Sequence, residues 1–199
     1  RSAAKTARAN AELALSEGDA DLRLNVRDPT EYQRQWDELA DKVKRAAETS
    51  LDPDARGHFT PAWQAHLASA RAKSLGHRND LFLDQEEARL GSTLDARRQL
   101  AAQGDREEFL RQFREGIDAI QDAEPRIGAK RAHEMRVKWR EDVITTRALM
   151  DKNADPEGFL ARAGAYAGMN PRTLETFQEG AGRAAEAIRK RRNDEWEKR

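Results

Sequence analysis

The chain has 199 residues, and its 36 basic side chains are balanced by 36 acidic ones, which gives a net charge of zero. This balance argues against binding of a polyanion over the whole surface, because proteins that do so carry a basic excess. The absence of cysteine excludes disulfides and thiolate metal sites, and no apolar run approaches the ~20 residues that span a bilayer. Ala occurs 34 times, whereas Leu, Ile, Val and Phe together occur 32 times, so the composition favours helices with thin apolar faces over strands.

The predicted elements are all helices and the connections between them. In chain order, helices are predicted over residues 2–17, 29–50, 62–102, 106–122, 126–152, 156–167 and 172–198. The expected connections and breaks are a loop from Gly18 to Asp28, a turn from Leu51 to Pro61, Gly104, the Glu124–Pro125–Arg126 step and the region from Gly164 to Gly168. The long helix is expected to be interrupted near Gly76 or Gly91.

The helix starts share one motif, an Asp or Asn that is followed by Pro or by acidic residues. In the sequence RDPTEYQRQW, Asp28 is predicted to be the N-cap, Pro29 the first helical residue, and Glu31 the residue that closes a capping box. The same type of start is predicted at Asp105 with Glu108, Asp155 with Pro156, Asn170 with Pro171 and, more weakly, Asp52 with Pro53. These motifs therefore separate helices and carry no chemistry.

Apolar residues follow the starts at spacings of three and four, which keep one face of a helix apolar. The stripes consist of Tyr32, Trp36, Leu39 and Val43; of Phe109, Phe113, Ile117 and Ile120; and of Met135, Trp139, Val143 and Met150. Such narrow stripes are typical of coiled coils and open bundles. We predict an all-α fold, an elongated multi-helix bundle of antiparallel helices with one or more long helices, in which Trp36, Trp63 and Trp139 are buried.

Three domains are predicted from these patterns. Residues 1–28 form an N-terminal helix and linker, residues 29–168 a helical scaffold, and residues 169–199 a charged helix. The chain begins with Arg1 and not with Met, so we expect it to be a fragment whose last helix continues in a longer parent chain.

No motif predicts catalysis or a cofactor. The sequence has no nucleophile elbow and no glycine-rich phosphate loop. His66 and His77 are eleven residues apart on one predicted helix, about 16 Å along its axis, which is too far for one metal ion. We therefore predict no catalytic, cofactor-binding or metal-binding residues, and no enzyme activity in this chain.

The sequence from Gly182 to Arg199 contains the one candidate contact site. Its basic cluster, Arg189, Lys190, Arg191 and Arg192, is interpreted either as a contact with nucleic acid or as an exposed helix end, where cations suit the helix dipole. Trp196 is a large aromatic residue in a polar segment, and we expect it to pack, with Ile188, against another molecule or another part of the parent chain.

The order of these motifs over residues 27–165 resembles bacteriophage and prophage internal virion proteins, also called ejection proteins. The resemblance rests on the capped helix VRDPTEYQRQWDELADKV, the turn DPDARGHF, the long charged helix after it, the helix that starts with GDREEFL, and the final cap DPEGFL. No catalytic motif supports it.

The resemblance implies a helical segment of a protein that is packaged in the capsid and reaches the host envelope with the genome. The implied partners are further copies of the chain or other virion proteins, with DNA contact through the basic cluster. A lytic transglycosylase module, which some such proteins carry, would lie elsewhere in the full-length chain. The alternative is a helical spacer, similar to a tail tape measure, or a cytoplasmic adaptor that binds partner helices.

Overall fold

The computed structural model describes residues 2–197 of the chain, and these form helices without a strand. The α-helices are α1 (Ser2–Asn25), α2 (Pro29–Thr49), α3 (Pro53–Gln103), α4 (Arg106–Ile127), α5 (Ala129–Ala154), α6 (Pro156–Ala161) and α7 (Pro171–Glu197), with a short 3-10 helix at Ala163–Tyr166. The all-α prediction with long helices is confirmed. Residues 1, 198 and 199, where the predicted terminal domains begin and end, lie outside the described part.

The predicted N-caps are formed. The Asp28 carboxylate accepts a hydrogen bond from the Glu31 amide at 2.7 Å. The corresponding bonds run from Glu108 to Asp105 at 2.9 Å, from Gly158 to Asp155 at 2.9 Å, from Arg172 to Asn170 at 3.0 Å and from Ala55 to Asp52 at 2.8 Å. Each cap satisfies an amide that has no partner within its own helix.

The capping box predicted at Asp28 is only half formed, because the return hydrogen bond from the Asp28 amide to the Glu31 side chain is absent. The Glu31 carboxylate does not turn back to the cap but accepts hydrogen bonds from Arg34, at 2.5 and 2.9 Å, and from Gln35, at 2.6 Å. The hydrogen bond from Arg34, and to a smaller extent that from Gln35, lowers the pKa of Glu31 from 4.5 to about 2.

The first helix is longer than predicted, because residues predicted to lie in a loop from Gly18 onward continue α1 to Asn25. At Gly18 the helix passes so close to α2 that an added Cβ would lie 2.5 Å from Cδ2 of Leu39. One residue later, Asp19 accepts a hydrogen bond of 2.5 Å from the Tyr32 hydroxyl. Gly18 therefore permits close packing of α1 on α2, and it does not end the helix.

The turn predicted from Leu51 to Pro61 is also wrong, since α3 begins at Pro53 and contains Pro61. Phe59 and Trp63 on either side of this proline are fully buried and stack with ring centroids 6.0 Å apart. Burial of these two rings outweighs the helix bond that a proline removes. The predicted interruption near Gly76 or Gly91 is absent.

The helix boundaries predicted near Pro125 and near Gly164 are displaced. Pro125 lies inside the last turn of α4, and the chain turns instead at Gly128, whose φ of 88° favours glycine. The helix predicted over 156–167 ends at Ala161 and is followed by the 3-10 helix.

The first compact unit, residues 1–85, contains α1, α2 and the first part of α3. Its core is centred on Tyr32, Trp36, Phe59 and Trp63, each no more than 1% exposed, with Leu15 of α1 packed among them. Burial of Trp36 and Trp63 was predicted and is confirmed.

The second compact unit, residues 86–199, contains the rest of α3 and all later helices. One core surrounds Ile120 of α4 and Trp139 and Val143 of α5, and the Trp139 indole donates to the Phe113 carbonyl at 3.1 Å. The prediction for Trp139 is confirmed, whereas Met150, the last residue predicted on its stripe, is 40% exposed.

A second core of this unit joins the end of α5, α6, the 3-10 helix and α7 around Phe159, Tyr166 and Ala181. The division between the compact units falls at Gln85, inside α3, and thus differs from the predicted domain borders near residues 28 and 168.

Candidate interaction surface on the last helix

Helix α7 packs on the rest of the second unit through an apolar face. Asn170 caps it and Pro171 is its first residue. Four residues at spacings of three, four and four then face the body of the second unit; they are Leu174, Phe177, Ala181 and Ala185. Ala181 and Ala185 are at most 3% exposed, so α7 packs closely through these small side chains.

The same face of α7 continues past Ala185, where the rest of the second unit no longer covers it. Adding three, four and four to Ala185 gives Ile188, Arg192 and Trp196, and Trp196 lies within about 20° of Ala185 around the helix. Every residue from 186 to 196 is exposed. Ile188 is 44% exposed and Trp196 is 78% exposed, more than any other large apolar side chain described.

The predicted basic cluster is exposed on this segment, but half of it is paired. Arg189 Nε lies 2.7 Å from the Glu157 carboxylate of α6, and Arg192 approaches the same carboxylate at 3.7 Å. Within the described residues, Lys190 and Arg191 have no ion pair. The role of Glu157 could not be predicted from the sequence, because its contact depends on the way α6 and α7 meet.

Two of the four histidines, His66 and His77, take part in packing, whereas His58 and His133 are exposed. His66 Nδ1 lies 3.4 Å from the Glu12 carboxylate, and the His77 ring meets Tyr32 edge to face with centroids 4.8 Å apart. Among residues 2–197 no three His, Cys, Asp or Glu side chains are placed to hold a metal ion. In the same part of the chain, no helix combines the length and the apolar character that crossing a bilayer requires.

The segment from residue 186 to Trp196 is thus an exposed stretch of helix with two large apolar side chains and, within the described residues, two cations without an ion pair. A comparison of the chain with protein-family models, with curated proteins and with solved structures finds no match.

Proposed function

We propose that this chain is a non-catalytic assembly segment of a phage internal virion, or ejection, protein, and that the exposed end of α7 joins two copies of it. The observation that carries the assembly proposal is the continuation of the buried α7 face into Ile188 and Trp196, which nothing in the described chain covers. The virion assignment rests on the resemblance of the motifs over residues 27–165. It places the chain inside the capsid and, after ejection, in the host envelope.

The residue order of the α7 end suits antiparallel pairing with a second copy. If two such ends cross at residue 192, Ile188 of one copy lies opposite Trp196 of the second copy. Lys190 and Asp194 lie about 160° around the helix from Arg192, so they face away from the second copy. Apolar residues then meet apolar residues, as in antiparallel coiled coils.

The energy of this contact comes mainly from the indole. Burying about 150 Å2 of Trp surface contributes roughly 3–4 kcal/mol at ~25 cal/mol per Å2. A two-fold contact buries one Trp196 from each copy, and this gain offsets the loss of translational and rotational freedom on association.

Sedimentation equilibrium over a concentration series tests this proposal. The unchanged chain should form dimers, and Trp196→Ser should shift it toward monomer. Leu24→Ser is the matched control, because Leu24 of α1 is 72% exposed and lies outside the proposed contact. Monomeric behaviour of the unchanged chain, or equal effects of the two variants, would remove the support for assembly through α7.

A helical adaptor is the second candidate, and one feature of the first compact unit favours it. A groove of about 500 Å3 between α1 and α2 is lined by Ala7, Ala11 and Ala14 on one side and by Leu39 and Val43 on the other. Its small side chains would let an apolar partner helix approach the backbone. A chain that stays monomeric in solution would support the adaptor candidate. A parent gene that lies among head and portal genes would support the virion candidate instead.

DNA contact through the basic cluster stays a prediction. Lys190 and Arg191 are the cations available for it, whereas Arg189 and Arg192 are engaged by Glu157. Binding of a DNA duplex that weakens steeply as salt rises would support the prediction, because phosphate contacts release counterions. Absence of binding at low salt would leave the cluster as the polar border of the protein contact.

A further inference from the structure

The second compact unit contains a cleft that the assembly proposal does not use. Its volume is about 690 Å3, within the range of ~300–1,000 Å3 that is usual for binding sites of small molecules. One wall is the first half of α4, the opposite wall is the end of α5, and Arg162 and the 3-10 helix close one side.

The cleft has an aromatic floor. The rings of Phe109 and Phe113 stack with centroids 6.1 Å apart, and both side chains are only partly buried. Ile144 of α5 and Tyr166 of the 3-10 helix continue this surface. An aromatic ligand could therefore lie against the two phenyl rings, which is a favourable contact beyond the area that it buries.

The rim of the cleft is positively charged. Arg106, Arg147 and Arg162 line it together with a single carboxylate, Asp151, so three positive charges and one negative charge leave a net charge of +2. Asp151 is already engaged, because Arg147 Nε lies 3.2 Å from its Oδ2 and the Tyr166 hydroxyl donates to it at 2.6 Å.

Arg147 is committed to the fold, whereas the other two arginines are available to a ligand. The Arg147 guanidinium also donates to the carbonyls of Ala101 and Gly104 at the end of α3. Arg106 is exposed and has no hydrogen bond or ion pair within the described residues. Arg162 is 57% exposed, and its ion pair with Asp155 is a loose one of 3.8 Å.

We propose that this cleft binds a small aromatic anion, whose rings lie against Phe109 and Phe113 and whose acidic group is held by Arg106 and Arg162. The guanidinium groups supply directed donors for a carboxylate, sulfonate or phosphate, and the partly enclosed floor weakens competition from water. The site goes beyond the assembly function and involves no residue of the α7 end.

Two fluorescent probes that differ by one charge test the proposal on the complete chain. They are 1-anilinonaphthalene-8-sulfonate and N-phenyl-1-naphthylamine, which has the same rings without the sulfonate. We expect the sulfonate to bind at one site and more tightly than the neutral probe. In Arg106→Gln/Arg162→Gln, the sulfonate should bind at least tenfold more weakly, since each lost charge-assisted hydrogen bond is worth about tenfold in affinity.

Arg114→Gln is the matched control, because Arg114 is an exposed arginine two turns further along α4 that does not line the cleft. It should leave the affinity for the sulfonate unchanged, and all variants should keep the helical circular dichroism of the unchanged chain, since the three arginines are exposed. Equal affinity for the two probes would overturn the proposal. So would a double variant that binds the sulfonate as tightly as the Arg114→Gln control.

Discussion

Gly116 of α4 lies directly against a core side chain. Replacing a helical glycine by alanine usually stabilises a protein, but at Gly116 we expect it to be destabilising. A Cβ added at Gly116 would lie 2.6 Å from Nε1 of Trp139 and even closer to two carbons of the same indole. Trp139 is 3% exposed, and its indole is fixed by the hydrogen bond to the Phe113 carbonyl. The ring therefore has to move if Gly116 is replaced by Ala.

The expected magnitude follows from three contributions. Overpacking of a core costs ~1–3 kcal/mol, and loss of the buried indole hydrogen bond costs a further ~1–3 kcal/mol. Replacing a helical glycine by alanine returns only ~0.5–1 kcal/mol. We therefore expect Gly116→Ala to lower the free energy of unfolding by about 2–4 kcal/mol, which corresponds to a fall in Tm of roughly 10 °C.

Urea and thermal unfolding followed by circular dichroism measure this change, and Gly91→Ala provides the control. Gly91 is also helical and lies in the same compact unit, but an added Cβ there has no atom within 4 Å. The control should be more stable than the unchanged chain by ~0.5–1 kcal/mol. If Gly116→Ala were as stable as Gly91→Ala, the packing of α4 on Trp139 would be wrong.

Three further predictions concern the first core, a helix cap and the tyrosines. Trp36→Ala should lower the free energy of unfolding by ~3–5 kcal/mol in urea unfolding, because the side chain is fully enclosed; a loss below ~1 kcal/mol would contradict that enclosure. Asp28→Ala should cost ~1 kcal/mol through the lost cap, and Asp28→Asn should restore most of it in the same assay. Burial, and then the hydrogen bond to Asp151, raises the pKa of Tyr166 from 10.0 to about 12, and burial also raises the pKa of Tyr32. Because the folded-state values lie above the unfolded ones, stability should fall as pH rises from about 10 to about 12, and phenolate absorbance should appear only as the chain unfolds; phenolate formation near pH 10 in the folded chain would contradict this.

The sequence predicts the helix starts of this protein better than its helix ends. A cap is a local structure, so Asp28, Asp105 and Asp155 could be identified from their neighbours alone. Whether a helix continues past Gly18, or already includes Pro61, depends on burial against other helices, which the local sequence does not contain. At Gly18 the relevant contact is the close packing against Leu39 of α2. At Pro61 it is the burial of the stacked rings of Phe59 and Trp63.

The candidate sites show the same difference. The exposed end of α7 could be predicted from Trp196 and its polar neighbours, because a single helix carries the whole surface. The cleft could not, since Arg106, Arg147 and Arg162 are far apart in sequence and meet only where α4, α5 and the residues after α6 converge. The pairing of Glu157 with Arg189 depends on the same kind of tertiary contact.

Cysteine cross-linking tests the central claim, pairing of two α7 ends around residue 192, most directly. The chain has no cysteine of its own, so Arg192→Cys introduces a single thiol at the proposed crossing point. In Glu186→Cys, an exposed control on the same helix, the two thiols of an antiparallel pair would lie about 18 Å apart along the axis. Under mild oxidation we expect Arg192→Cys to form disulfide-linked dimers in high yield and Glu186→Cys to stay monomeric. Dimer yields that are equal in the two variants, or an Arg192→Cys chain that stays monomeric at concentrations where the unchanged chain associates, would contradict the pairing.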